Sequence, residues 1–425
     1  MGGHDAADRQ AAADTHEARG THEARGTHKA RDTHKARDTH KARDTHKARD
    51  THEAVDMRAL VCVEDVEREA RARLDPGVRD FIGGGAGDEL TLAANRAALD
   101  AVRLAPRVLT GLAGWSTAAT LLGQPAAMPL AVAPMAYQKL VHPGGERAMA
   151  RAARQHGVPY TVSTLSSTPL EEIATVGGDL WFQLYWLRDR GLVLELVRRA
   201  EDAGYRALML TVDVPVMGRR RRDARNGFAL PGGVTAANLG GGGTAAHRRR
   251  PGASAVADHT RQAFDPALGW PDLDWLREHT TLPLILKGVC DPRDAQRAAS
   301  RGIEAIVVSN HGGRQLDGAP ASAELLPPIA DAVNGRCQIL LDSGIRTGTD
   351  ILRAAALGAD GVLIGRPLLW GLALQGTQGA AHTLSLLQTE LAEALALTGC
   401  PTPSAARTLH IHPHPGAPPS PPRTA

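Results

Sequence analysis

From about residue 128 onward the chain alternates short apolar runs with longer stretches whose apolar residues recur at helical spacing. The runs cover 128–134, 160–164, 181–186, 207–215, 282–289, 305–312, 338–344 and 361–367. Each is mostly apolar on both alternating faces, the pattern of a strand buried on both sides of a parallel sheet. Between them, 145–156, 192–203, 292–301 and 348–357 read as amphipathic helices. Eight such strands with helices between them predict an α/β protein, a (β/α)8 TIM barrel rather than an open doubly wound sheet. The segments before the first strand add an N-terminal helical extension. One connection is unusual: roughly 70 residues follow the fourth strand, long enough to cover the mouth of a barrel.

The two ends of the chain lack this pattern. Residues 15–56 repeat a hexapeptide, Thr-His-[Glu/Lys]-Ala-[Arg/Val]-[Gly/Asp], seven times. A period of six fits no amphipathic element, and alanine is the sole apolar residue in most copies, so little surface is available to offset ordering entropy. The recurrent histidines invite a metal-binding reading; the composition favours a disordered tail over 1–56. Six prolines between Pro413 and Pro422 argue for a second disordered tail over 401–425. The folded unit is expected over 57–400.

Composition narrows the class. Hydrophobic residues make up 43% of the 425, enough for a large core, but aromatics only 3%. A formal charge of +3 with so few stacking rings excludes a typical nucleic-acid binder. No apolar run reaches the roughly 20 residues of a membrane span, and the first residues lack a signal peptide's pattern. Cys62, Cys290, Cys337 and Cys400 are scattered without metal-ligand spacing, so the expectation is a cytoplasmic protein with no bound metal.

In a barrel, chemistry sits at the C-terminal strand ends. Those ends carry Pro134, Met135, Ala136 and Tyr137; Ser163; Gln183 and Tyr185; Thr211 and Asp213; Lys287; Ser309, His311 and Arg314; Asp342, Gly344 and Arg346; Gly365 and Arg366. Taken singly, each has an ordinary explanation: Lys287 could snorkel, Asp213 could close a turn before Pro215, and His311 could be structural. Of the four arginines at 219–222, a run that is usually a solvated face, one is expected to point inward. Together these groups point to one site, with His311 and Arg314 facing a small anion. The Gly-Arg pairs after strands seven and eight stand where barrels bind phosphate.

Residues 309–317, Ser-Asn-His-Gly-Gly-Arg-Gln-Leu-Asp, carry a specific signature. By it the chain resembles the FMN-dependent α-hydroxy acid oxidases and dehydrogenases, over nearly all of 57–400. Within that family it is most similar to the 4-hydroxymandelate oxidases of glycopeptide-antibiotic pathways. Trp181-Phe-Gln-Leu-Tyr-Trp-Leu-Arg-Asp, Met217-Gly-Arg-Arg and Arg225-Asn-Gly-Phe-Ala-Leu-Pro are among the stretches that carry the closer likeness. The resemblance implies His311 as base, Asp213 as its orienting carboxylate, Tyr185 on the substrate hydroxyl, and Arg220 and Arg314 on the substrate carboxylate. Lys287 would stabilise charge on reduced FMN. Pro134, Met135, Ala136, Ser163, Gln183, Thr211 and Ser309 would contact isoalloxazine and ribityl; Asp342, Gly344, Arg346, Gly365 and Arg366 would hold ribityl and phosphate. Phe81, Leu165 and Tyr137 would border the substrate.

Three positions depart from the common pattern: Phe81 stands for a tyrosine, Leu165 for the tryptophan of glycolate oxidases, and Ser343 for a glycine. The first two make room for an aryl group. The reading is oxidation of mandelate or 4-hydroxymandelate with O2 as acceptor, by a homo-oligomer (a tetramer, by the resemblance). A lactate- or glycolate-type oxidase, a non-redox FMN-binding isomerase and a degenerate binding protein are the rivals.

Overall fold

The computed structural model of the chain describes residues 55–412, apart from 248–251 and 253. Eight parallel strands close into a barrel: β1 (Leu130–Val132), β2 (Tyr160–Ser163), β3 (Leu180–Tyr185), β4 (Ala207–Thr211), β5 (Leu284–Val289), β6 (Ala305–Val308), β7 (Gln338–Leu341) and β8 (Gly361–Ile364). Seven fall inside their expected runs, and β3 begins one residue before its run, at Leu180. The period of two along a strand sets the interior. Ala131, Ala133, Trp181, Ala207, Met209, Ile285, Ala305, Val307, Leu340 and Leu363 form one cluster within the barrel, a single aromatic ring among aliphatic side chains and a methionine. Two residues further along the same inward register stand Gln183, Thr211, Lys287, Ser309 and Asp342. The alternation that builds an apolar core below therefore delivers a polar layer above it.

The other faces of the strands pack under the surrounding helices in a second, larger cluster that includes Leu130, Val162, Leu208, Ile306 and Val362. The hairpin of Ala119–Leu121 with Gln124–Ala126 was not foreseen by the apolar pattern, being too short to show a period. Its fully buried Leu121 joins the interior cluster and plugs the N-terminal mouth.

Before the barrel come the helices α1 (Val63–Arg73), α2 (Pro76–Gly83) and α3 (Leu90–Ala101). Asp75 caps α2, accepting from Gly77 N at 2.8 Å, and Pro76 occupies its first turn. The fold also runs past residue 400, where a tail was expected to begin. A 3-10 helix spans Pro403–Thr408, and Ile411–His412 pairs antiparallel with Arg103–Leu104. Pro403 sits at a helix start, where its missing N–H costs nothing; the proline-dense stretch lies later. Residues 413–425 and the hexapeptide repeat over 15–54 lie outside the described residues.

Candidate active site

The catalytic candidates occupy one cavity at the C-terminal end of the barrel. Pro134, Met135, Ala136, Tyr137, Ser163, Leu165, Tyr185, Thr211, Arg220, Lys287, His311, Arg314, Asp342, Gly344, Arg346, Gly365, Arg366 and Phe81 all line it. Gln183, Ser309 and Asp213 do not; they stand behind the lining and hold it. Gln183 accepts from Ser163 Oγ at 3.1 Å and donates to Thr211 Oγ1 at 3.0 Å. Ser309 Oγ accepts from Lys287 Nζ and from the His311 N–H, both at 3.0 Å.

His311 sits in a turn that its sequence makes possible. It adopts φ 58° and is followed by Gly312 at 67° and Gly313 at 72°, three left-handed residues in a row. A Cβ on Gly313 would lie 2.6 Å from Leu92 N. The turn is anchored by a reciprocal amide pair, Asn95 Nδ2 to Asn310 Oδ1 at 2.9 Å and Asn310 Nδ2 to Asn95 Oδ1 at 2.7 Å. Asp317 ties the end of the signature to the N-terminal extension through Asp88 N and Thr91 N.

Nδ1 of His311 lies 3.0 and 3.2 Å from the two Asp213 oxygens. Burial pushes the imidazole below its ordinary pKa, although Asp213 pulls the other way. Burial raises the Asp213 carboxyl, but His311 and Lys287 outweigh it and hold its pKa below the ordinary value. Asp213 can approach because residue 288 is glycine: φ is 107°, and a Cβ there would meet the aspartate side chain at 2.5 Å. Lys287 is also paired, with Asp342 Oδ2 at 3.0 Å; burial works against its charge, yet Asp342 and Asp213 carry its pKa above normal.

The arginines differ. In the run 219–222, Arg220 turns inward with its side chain 9% exposed, while Arg221 and Arg222 pair with Asp88 and Glu89. Arg220 Nε is buried without a partner, and its nearest recorded carboxylate, Asp223, stands 3.9 Å away. Arg314 donates to the carbonyls of Phe81, Ile82 and Gly84, and Arg366 to those of Ile82, Gly84 and Gly312. All but that of Gly312 lie at the C-terminus of α2, a natural seat for cations. The Phe81 ring, stacked on Phe228 at 4.5 Å, lies 5.7 Å from the Arg220 guanidinium and 5.3 Å from that of Arg314. Burial lowers the pKa of Arg220, Arg314, Arg346 and Arg366, and mutual repulsion deepens the fall for Arg314 and for Arg366, which drops to about 9. Enclosed, mutually repelling guanidinium groups with one orphaned N–H are what a phosphate and a carboxylate would complete, so the residues fit FMN and an anionic substrate.

Further apolar lining comes from residues not expected at the site. Val214, Met217, Val256, Thr260 and Phe264, all from the long connection after β4, line the cavity with Leu140 and Val141. Phe264 stacks on Tyr185 at 4.4 Å; burial and then Asp213 push the Tyr185 phenol up to about 12. Gln315 braces the connection, donating to Asp213 O at 2.7 Å and Val216 O at 2.9 Å. Their spacing is irregular, so only the length of the connection signalled them. Among the described residues no helix is long and apolar enough to cross a membrane.

Residues 70–413 match the model of a family described as FMN-dependent dehydrogenase. A 4-hydroxymandelate oxidase of Amycolatopsis orientalis is 56% identical over 350 residues, covering 82% of this chain and 98% of that protein. An L-lactate oxidase of a Nostoc strain is 50% identical, covering 79% and 93%. Among solved structures, a mandelate oxidase with (S)-4-hydroxymandelic acid superposes with a TM-score of 0.81 at 55% identity, covering 83% of this chain and 99% of that one. With the barrel, the cation-lined cavity and these matches in place, the chain belongs to the FMN-dependent dehydrogenase family and is an FMN-dependent 2-hydroxy acid oxidase.

Proposed function

We propose that the substrate is an aromatic (S)-2-hydroxy acid, mandelate or 4-hydroxymandelate, oxidised to the 2-keto acid with O2 reduced to H2O2. The substrate loses two electrons and two protons, which O2 takes up overall. The observation that carries this reading is the make-up of the cavity: a buried Arg220 N–H without a partner, in a space also lined by Leu165, Val214, Met217 and Phe264. Such a site suits a carboxylate joined to a flat apolar ring.

FMN, when bound, accepts the electron pair. Arg346 and Arg366, with the backbone at Gly344 and Gly365, would hold its phosphate, and Asp342 its ribityl chain. Pro134, Met135, Ala136, Ser163 and Thr211 would line its ring, with Gln183 and Ser309 behind them. Arg220 and Arg314 clamp the substrate carboxylate, since a planar fork matches two oxygens. Tyr185 donates to the substrate hydroxyl. With Nδ1 held by Asp213, His311 offers Nε2 to take the proton that leaves the substrate, and the ionised aspartate stabilises the imidazolium. Lys287, kept charged, stabilises negative charge developing beside it. Phe81, Leu165 and Tyr137 border the substrate. A cytoplasmic setting suits the four cysteines, all of them free thiols.

Burying an aryl group adds about 2–3 kcal/mol. Steady-state kinetics should therefore give kcat/KM for (S)-mandelate or its 4-hydroxy derivative at least about 30-fold above that for lactate. Leu165→Trp should remove most of that gap by filling the aryl space. The lactate oxidase relative favours a second reading, a small aliphatic substrate. A wild-type preference for lactate or glycolate would establish that reading instead.

A further inference from the structure

Ser343 stands where the family pattern has glycine, and its backbone shows why glycine suits the place: φ is 77°, in the left-handed region that strains a residue with a Cβ. The serine hydroxyl is nevertheless fully used. Its single hydrogen goes to Asp342 Oδ1 at 2.7 Å, and its oxygen accepts the Gly312 N–H at 2.9 Å. The second oxygen of Asp342 holds Lys287 Nζ at 3.0 Å. Lys287 in turn donates to Ser309 Oγ, which also accepts from the His311 N–H. The bonds form a closed circuit: Ser343, Asp342, Lys287, Ser309, the turn at His311 and Gly312, and Ser343 again. A glycine at 343 would open it at two bonds, leaving one oxygen of Asp342 and the Gly312 amide each without this partner.

We propose that Ser343 is a positioning residue that locks the left-handed turn carrying His311 to the Asp342–Lys287 ion pair. Base and lysine are thereby held as one rigid unit, and the strain at 343 is the cost of that coupling. The proposal rests on the roles given above to His311 and Lys287. Ser343 borders the same cavity, and its effect on the reaction passes through both of these groups.

Ser343→Gly separates strain from coupling, because it relieves the one while removing the other. In the full-length protein the melting temperature of the apoprotein should stay level or rise, and the FMN Kd, from fluorescence titration, should stay within about threefold. The midpoint potential of bound FMN should fall, since Lys287 is less firmly held, and anaerobic reduction by 4-hydroxymandelate should slow at least about tenfold with KM within about twofold. Ser343→Ala loses the same two hydrogen bonds but keeps the strain, so it should match the glycine variant in potential and rate while melting lower. A glycine variant with wild-type potential and wild-type reduction rate would overturn the proposal. Potential and melting temperature need no substrate, so they decide the role of Ser343 even if the wild-type protein leaves 2-hydroxy acids untouched, an outcome that would count against the substrate reading alone.

Discussion

The two halves of the cavity handle buried charge in opposite ways. On one side each basic group has its own carboxylate: His311 has Asp213, and Lys287 has Asp342. On the other, four guanidinium groups are enclosed with backbone carbonyls or distant carboxylates for company, and all four are held below their ordinary pKa. The paired half is complete without a ligand and can move a proton within the protein. The arginine half is unfinished, since its charges are compensated only when anions arrive. The difference separates chemistry from binding, and variants should divide along the same line.

The largest effect should come from the paired half. His311→Ala should retain FMN, because the phosphate side is untouched, yet lose at least about 10²-fold in the rate of flavin reduction measured by stopped flow. A variant that reduces at the normal rate would remove His311 from the mechanism.

In the arginine half the signature should reverse. Arg346→Met should weaken FMN binding about 10- to 100-fold, the loss of a charged hydrogen-bonded contact worth about 1.5–3 kcal/mol. The apoprotein should melt no lower than wild type, since an enclosed, charged guanidinium has been removed. Loss of apoprotein stability with unchanged FMN affinity would mean Arg346 is structural.

The smallest effect is a pH dependence. The neutral imidazole is the base, and burial lowers its pKa, so reduction rates should be flat above the ordinary histidine value of 6.5 and decline only at lower pH. Asp213→Asn, which removes a group that raises that pKa, should move the midpoint lower still. Stability follows the same sign. The folded pKa values of His311 and Asp213 both lie below their unfolded ones, so these two groups favour the fold at neutral pH and lose that contribution as pH falls. The histidine share fades first, below 6.5, and the aspartate share below 3.8. A midpoint above 6.5 would contradict the assignment of burial as the dominant cause.

The same division governs what was legible in the chain. The polar layer was legible as the groups at the C-terminal ends of the apolar runs, Gln183, Thr211, Lys287, Ser309 and Asp342 among them, but runs apolar on both faces do not say which residues turn inward; the barrel does. The signature at 309–317 could be read by resemblance, and its two glycines complete the left-handed turn that begins at His311. The apolar wall supplied by the long connection was not legible. Val214, Met217, Val256, Thr260 and Phe264 belong to short helices and loops whose order in space is set by packing over the barrel mouth. Arg220 could be suspected in the run 219–222, but only the ion pairs of Arg221 and Arg222 with Asp88 and Glu89 decide which guanidinium turns inward. Residues 403–412 were taken for tail because prolines nearby obscured a two-residue strand paired with a segment some 300 positions earlier, a contact no local pattern encodes.

If this cavity oxidises an aromatic 2-hydroxy acid through His311 while its arginines hold anions, the flavin itself should report it. The most direct test is the visible spectrum of the purified FMN-loaded protein before and after anaerobic addition of (S)-4-hydroxymandelate. Rapid bleaching of the flavin bands is expected, with recovery on admitting air, formation of H2O2, and much slower bleaching with lactate. A flavin that stays oxidised with 4-hydroxymandelate, or that bleaches faster with lactate, would contradict it.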